Sequence, residues 1–313
     1  MNEDPSDLLV HARKLIATDH PVLNTFKRLV HDGKNNLQVR GVLMLLLCHS
    51  TSNAEISEEQ RKLAEIIEMI HTAHYIHKSV VDVPNSSNED EDHIKRLQQL
   101  EDGNKISILL GDALMANAIV GIASFKIPKL LDLIAEAMIR FLESEFYGKQ
   151  DAHCNAIPSY DSNDRKCWEK QWELSVGSLL SAGCESSMLL AKQPKDIQTA
   201  AKDLGLHTAL AIQASDEIRI FTQRSGAQFS LCSAPVIFHL QEDKDLLDYI
   251  QQFEDDLSQV DYIRVYDAVI SGDGIDQAKS LCVDHVHQSL EYLKEFPDKD
   301  GRRAYENLLL ALI

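Results

Sequence analysis

The sequence predicts an all-α protein, and two observations carry this prediction. First, the chain of 313 residues contains only 13 glycines and 8 prolines, and 6% of its residues are aromatic, which is typical of a soluble, mostly helical protein. Second, apolar residues recur at helical spacing along residues 57–83 and 104–124. A chain of this length is expected to bury a sizeable core.

Composition also argues against several classes of protein. A formal net charge of −18 repels nucleic acid, and no basic patch interleaved with aromatic residues is present. Six scattered cysteines without a Cys-x-x-Cys pair favour reduced, buried thiols. The longest apolar run, Gly41–Cys48, is too short to cross a bilayer, so we expect no transmembrane segment. The acidic N-terminus shows no presequence for secretion or import.

The first elements are predicted to be helices at residues 6–17, 21–31 and 37–49, with Pro21 opening the second. A long helix follows, and a capping box of Ser57 and Gln60 marks its start. Its predicted buried stripe is Leu63, Ile66, Ile67, Ile70, Ala73, Ile76 and Val80. A polar stripe beside it contains Glu68, His71, Tyr75, Lys78 or Ser79, and Asp82. Because the rest of this helix is apolar, the polar stripe is expected to face a cavity.

The remainder of the chain alternates polar loops with helices. Polar loops are predicted near residues 83–103 and 148–164. Helices are predicted at 104–124, 127–147, 165–192, 196–204 and 207–221, from Ser233 onward, and in a C-terminal part divided at Gly272 and Pro297. The helix at 104–124 is expected to be buried, with Asp112 as a buried structural carboxylate. Trp168 and Trp172 are expected to have packing roles, and Gly205 is expected to end the helix at 196–204.

One stretch of the long helix resembles a known family. Residues 68–73, EMIHTA, followed by an aspartate position at 82, are similar to the first Asp-rich helix of the trans-prenyl diphosphate synthases. In that family an Asp-Asp-x-x-Asp motif holds the Mg²⁺ that bridges to an allylic diphosphate. The five equivalent positions here are Lys78, Ser79, Val80, Val81 and Asp82, so a single aspartate remains.

A second stretch carries the same resemblance. Residues Gln213, Asp216 and Glu217 match the family's second motif, Phe-Gln-x-x-Asp-Asp-x-x-Asp, whereas Ile220 occupies the last position. The resemblance implies that Asp82, Asp216 and Glu217 are remnants of two metal sites. Two interpretations stay open for the second motif, namely weak Mg²⁺ binding and a polar patch or an ion pair with Arg219.

The family's diphosphate contacts are also reduced. The resemblance implies vestigial substrate-binding roles for Arg40, His71 and Gln213, and it implies no catalytic residue. Arg40 is alternatively a helix-face arginine, and His71 is alternatively a core histidine. The family's Lys-Thr pair corresponds to Leu174 and Ser175, so the lysine's charge is missing.

The resemblance covers almost the whole chain and implies one isoprenoid-synthase-like domain, residues 1–313, built as a single large bundle around a central cavity. Prenyl transfer needs several carboxylates to organise Mg²⁺ and several cations to hold two diphosphates, so the chain alone is expected to be inactive. Three segments, at residues 37–41, 103–106 and 233–236, are more specifically similar to the non-catalytic second subunits of heteromeric decaprenyl or solanesyl diphosphate synthases.

That similarity implies a hetero-oligomer with a catalytic first subunit that holds the Mg²⁺, formation of the ubiquinone side chain, and a location in the mitochondrial matrix. Two alternatives remain. The first alternative to a partner subunit is a divergent, self-sufficient prenyltransferase with a reduced metal site. The second is a helical binding or scaffold protein. The sequence contains no Gly-x-Ser-x-Gly motif, phosphate loop or dinucleotide fingerprint.

Overall fold

The computed structural model describes residues 39–51, 56–83, 91–161, 163–223, 229–297 and 299–313, and most of these residues lie in helices. The helices are α1 (Val39–Thr51), α2 (Glu58–His77), α3 (Glu91–Ser124), α4 (Pro128–Glu143), α5 (Arg165–Trp172), α6 (Ser178–Leu190), α7 (Lys195–Thr222), α8 (Ala234–Glu242), α9 (Lys244–Gln251), α10 (Tyr262–Ser271), α11 (Gly274–Leu293) and α12 (Asp300–Leu310). Within the described ranges, β-pairing is limited to an isolated bridge between Gln150 and Ala156. The all-α prediction is confirmed.

The chain divides into two compact units. Among the described residues, the first unit contains 39–42, 61–83 and 91–127, and the second contains 43–51, 56–60 and the residues from 128 onward. The organisation of residues 1–313 as one domain stays a prediction. The helices predicted at 6–17 and 21–31 lie outside the described residues.

Helix α2 begins as predicted and ends earlier than predicted. The Ser57 hydroxyl accepts from the Gln60 backbone N–H, and the Ser57 backbone N–H donates to the Gln60 side chain, which is the predicted capping box. The helix stops at His77 rather than continuing to Val83. Val80 is therefore beyond the helix and 39% exposed, so its place in the buried stripe was wrongly predicted.

Helix α3 corrects two expectations in the first unit. Residues 91–103 were predicted as a polar loop, but the helix begins at Glu91. Its later part was predicted to be buried, but burial is confined to a narrow seam, namely Gly103, Ser107, Gly111, Ala118 and Ile122. The seam permits close packing, because a Cβ at position 111 would lie 2.2 Å from Nε2 of His77. Asp112, predicted to be buried, is exposed, with its carboxylate 3.3 Å from Nε2 of His77.

In the second unit, α5, a π-helical segment (Glu173–Gly177) and α6 together form the helical stretch predicted at residues 165–192. Helix α7 runs through Gly205, which was predicted to end a helix. A Cβ at this glycine would lie 2.9 Å from the Leu180 carbonyl oxygen and 3.0 Å from Sγ of Cys184. Gly205 thus allows α6 and α7 to approach closely, and it does not cap a helix end.

The other predicted breaks are confirmed in the second unit. The polar segment at 148–164 separates α4 from α5, and α8 begins directly after Ser233. Helices α10, α11 and α12 are separated at Gly272 and at Pro297. The cysteines are free, and burial differs among them: Cys48, Cys184 and Cys282 are buried, Cys167 and Cys232 are half-buried, and Cys154 is exposed. The prediction of buried thiols therefore holds for three of the six.

Candidate functional site

One candidate site lies where α2 meets the start of α1, within the first unit. The Gly41 backbone N–H donates to Oε1 of Glu68 at 2.7 Å. Since the first N–H groups of a helix have no partner within it, this carboxyl group serves as a cap provided by another helix. Burial raises the pKa of Glu68 to about 7, whereas the bond from Gly41 and the charge of Arg40 oppose the rise.

Arg40 and His71, both predicted as substrate contacts, lie next to each other. Nη1 of Arg40 is 3.3 Å from Nδ1 of His71. The histidine is 1% exposed. Burial, followed by the charges of Arg40 and His74, lowers its pKa well below the ordinary value. His71 is therefore a neutral imidazole whose Nδ1 accepts from the guanidinium. The structure brings the two residues together, and their binding role stays a prediction.

The first aspartate position forms a turn that is held in place by its neighbours. The Ser79 hydroxyl donates to the Ile76 carbonyl oxygen at 2.6 Å, and its oxygen lies 3.1 Å from the hydroxyl oxygen of Ser107. The Asn104 side chain accepts from the Val81 N–H at 2.9 Å and donates to the Val81 carbonyl oxygen at 2.7 Å. These bonds fix an irregular backbone over positions that were expected to continue a helix.

Asp82 lies after this turn and its side chain is exposed. A helix would place positions 78 and 82 one turn apart on the same face, which is the spacing that a pair of metal-binding carboxylates requires. Here α2 has ended, and the first of those positions is a lysine. Within the described ranges, no group of three or more His, Cys, Asp or Glu side chains is arranged to hold a metal ion.

A separate candidate site lies on α7 in the second unit. Glu217, predicted as a metal ligand, is 6% exposed. Its Oε2 accepts from Nε1 of Trp168 at 2.9 Å and from the Ala234 backbone N–H at 2.7 Å. Its Oε1 accepts from Nε2 of Gln213, the predicted substrate contact, at 2.9 Å. Burial raises the pKa of Glu217 to about 7, while these donors lower it.

The neighbouring positions of the motif have other roles. Nη2 of Arg219 donates to Oδ1 of Asp216 at 2.5 Å, so the ion pair considered for this motif is present. Ile220 packs against a cluster of buried apolar side chains from α7 to α10. The three motif positions therefore provide one internal acceptor, one surface ion pair and one apolar contact.

Sequence patterns do not identify some residues of the two candidate sites. The sequence predicts only a packing role for Trp168, and it predicts no hydrogen bond for the Asn104 side chain or for the N–H of Ala234. The predicted helix start at Ser233 offered one signal, because a new helix presents backbone N–H groups that need an acceptor. The aligned positions of the family's lysine, Leu174 and Ser175, fall in the π-helical segment, where Ser175 departs from helical geometry with φ −76° and ψ −114°.

The fold and the two carboxylate motifs define a class, the all-helical isoprenoid synthases. One motif follows α2 and the other lies in α7. The chain belongs to the polyprenyl synthetase family, whose model matches residues 20–266.

Two relatives illustrate the sequence similarity. The all trans-polyprenyl-diphosphate synthase PDSS2 of Homo sapiens is 31% identical over 333 residues, covering 100% of this chain and 81% of the relative. The probable mitochondrial hexaprenyl pyrophosphate synthase of Neurospora crassa is 28% identical over 262 residues, covering 80% of this chain and 57% of the relative.

Solved structures support the fold. The heptaprenyl diphosphate synthase of Staphylococcus aureus superposes with a TM-score of 0.74, covering 99% of this chain and 97% of that one. At 17% identity this likeness shows a shared fold and no more.

Proposed function

We propose that this chain is the non-catalytic partner subunit of a heteromeric long-chain polyprenyl diphosphate synthase. It stabilises or activates a catalytic subunit that has intact Asp-rich motifs and that holds the Mg²⁺ of the complex. The product is the polyprenyl tail of ubiquinone. The full-length similarity to PDSS2 supports this assignment among the members of the family.

The observation that carries the proposal is the turn at residues 78–82. Lys78 places an ammonium group where the family has a metal ligand, and the bonds from Ser107 and Asn104 hold the backbone away from helical geometry. Loss of one group that stabilises the transition state typically costs a few kcal/mol. Because ligands are missing from both motifs and from the basic set, the chain by itself is expected to have almost no activity.

The surface of α3 supports a role in a complex. Outside its buried seam, this helix exposes large apolar side chains, with Leu109 60%, Ile119 50% and Val120 69% exposed. Helix α4, in the other unit, separately exposes Leu131, Ile139 and Leu142. Extended apolar faces of this kind are typical of surfaces that another protein covers.

Length and composition alone would also allow α3 to cross a membrane, and within the described ranges it is the one helix that meets this test. Only 22% of its apolar window is buried. Lys105, Asp112 and Asn117 are exposed on the same helix, and charged or polar groups facing lipid are costly. A protein partner satisfies both the apolar and the polar side chains of this surface, so we assign α3 to subunit contact.

The proposed location is the mitochondrion, in the matrix. The name of the Neurospora crassa relative supports the organelle. The matrix is proposed from the resemblance to the second subunits of heteromeric long-chain synthases.

One assay in three arms tests the proposal. This chain alone, the catalytic subunit alone and the two co-expressed are each given farnesyl diphosphate, isopentenyl diphosphate and Mg²⁺. Long polyprenyl product that appears only or mostly with both subunits supports the proposal. Product from this chain alone would show a self-sufficient prenyltransferase. Full product from the catalytic subunit alone, unchanged by this chain, would favour a separate binding or scaffold role.

A further inference from the structure

We infer that Glu217 is a structural acceptor that joins α5 and the start of α8 to α7, and that the second carboxylate motif of this chain does not bind a divalent cation. The inference concerns this chain's own residues, and it holds or fails independently of the partner proposed above. It rests on the hydrogen-bond geometry of the motif.

The lone pairs of Glu217 are largely used within the chain. A carboxylate has about four acceptor sites, two on each oxygen. Oε2 receives two donors, from Trp168 and from Ala234, and Oε1 receives one, from Gln213. Metal ligation needs the same lone pairs, and the N–H groups would direct their positive ends at the ion. Mg²⁺ also keeps several of its waters, and Glu217, at 6% exposed, is largely closed to solvent.

Glu217 further replaces the usual cap of α8. Ser233 is at the N-cap position, where a serine side chain ordinarily accepts from the first backbone N–H groups of a helix. The Ser233 side chain makes no capping bond, whereas Glu217 accepts from the N–H of Ala234 at 2.7 Å. A carboxylate at a helix N-terminus is also favoured by the helix dipole. Moving Glu217 toward a metal ion would leave this helix start uncapped.

The adjacent residues do not provide an alternative ligand set. Asp216 is paired with Arg219, and the third motif position is Ile220. A cation at Asp216 would have to compete with the guanidinium at 2.5 Å and would gain no second carboxylate from the buried Glu217. Donors from the protein therefore occupy the place that a metal has in a complete motif.

The first test counts bound Mn²⁺, a Mg²⁺ substitute, on the full-length chain by electron paramagnetic resonance. Asp216→Asn removes one carboxylate from the motif. Asp276→Asn is the matched control, because Asp276 forms a comparable i,i+3 surface pair with Lys279. We expect wild type and both variants to bind the same number of ions with the same affinity. Loss of one bound ion in Asp216→Asn, but not in the control, would overturn the inference.

The second test measures the structural role by thermal unfolding. Trp168→Phe keeps an aromatic ring and removes the indole N–H, and we expect it to lower Tm by a few degrees. Trp172→Phe, one turn further along, keeps the bond to Glu217 and is expected to lower Tm less. In a Glu217→Gln background the effect of Trp168→Phe should shrink, because the bond to a charged acceptor is already gone.

Equal effects of Trp168→Phe in the wild-type and Glu217→Gln backgrounds would contradict the coupling. If Glu217→Gln does not fold, the comparison of the two tryptophan variants decides alone. A Trp168→Phe variant that is as stable as Trp172→Phe would then overturn the structural role.

Discussion

At the scale of single residues, the first Asp-rich motif has lost carboxylates, and a residue that replaces one of them makes new contacts within the chain. Ser79 stands where the family has a metal-binding carboxylate, but its hydroxyl is buried between Ile76 and Ser107. The position has thereby become part of the contact between the turn after α2 and helix α3. A carboxylate can no longer be restored there by substitution alone.

We therefore predict opposite outcomes for two adjacent substitutions. Ser79→Asp buries a charge beside Ser107 and should reduce the free energy of unfolding by about 2–4 kcal/mol. Lys78→Asp changes an exposed side chain and should alter it by less than about 0.5 kcal/mol. Chemical denaturation of the two variants provides the measurement. Equal stability of both would contradict the buried environment of Ser79.

Glu68 predicts a pH dependence of stability. Its pKa is raised from 4.5 to about 7 in the folded chain, mainly by burial. Because the pKa is higher in the folded chain, the favourable contribution of Glu68 to the free energy of unfolding is complete below pH 4.5 and is lost as the pH rises through 7. Wild type should therefore lose stability relative to Glu68→Gln over that range, by on the order of 2 kcal/mol.

The glutamine variant keeps an acceptor for the Gly41 N–H, so the comparison isolates the charge. The lowered pKa of His71 also makes stability depend on pH. The effect of Glu68 is therefore given by the difference between the unfolding free energies of wild type and Glu68→Gln, measured at each pH. Parallel profiles from pH 4.5 to 7 would contradict the assigned environment of Glu68.

Sequence patterns identified the local contacts at this scale but not the distant ones. The capping box of Ser57 and Gln60 spans three residues, so its spacing is visible in the sequence. The bonds from Trp168 to Glu217 and from Asn104 to Val81 span 49 and 23 residues. No periodicity encodes such pairs, because they depend on how the helices pack.

At the scale of elements, the sequence predicts the positions of most helices better than it predicts where they begin and end. Gly205 resembles a helix end by residue type, and only the proximity of Leu180 and Cys184 explains a glycine inside α7. The start of α3 looked like a loop because it is polar. Yet Glu91 and Lys95, like Asp92 and Arg96, have the i,i+4 spacing that stabilises an exposed helix.

Helix α3 also carries the prediction about subunit contact. Leu109→Lys and Val120→Glu each place a charge on its exposed apolar face and should weaken binding to the catalytic subunit at least about tenfold. Both side chains are exposed in this chain, so Tm of the isolated variants should stay near that of wild type. Surface plasmon resonance with an immobilised catalytic subunit provides the affinities.

Glu101→Lys is a suitable control, because it changes charge at an exposed position of the same helix without removing an apolar side chain. If all three variants bind like wild type, α3 does not form the contact surface. If the control is weakened as much as Leu109→Lys, the effect reflects charge in general and not the apolar face.

At the scale of the whole molecule, the chain keeps the family's fold while both motifs lack ligands. A family model that matches residues 20–266 and a TM-score of 0.74 to a heptaprenyl diphosphate synthase show how completely the fold is retained. The fold was predictable because its signals, apolar periodicity and helix caps, are distributed over the chain. The role of Glu217 as an internal hydrogen-bond acceptor was not predictable, because a glutamate at this position is compatible with both metal binding and internal hydrogen bonding.

The non-catalytic role of this chain is tested by the activity of the co-expressed complex with Asp82→Asn and Asp216→Asn combined in this chain. We expect kcat for long-chain product to stay within about twofold of wild type, because neither carboxylate takes part in the chemistry. The corresponding aspartate substitutions in the catalytic subunit serve as the control and should abolish product. A loss of about a hundredfold or more from the substitutions in this chain would contradict the account, because it would show that these carboxylates act in catalysis.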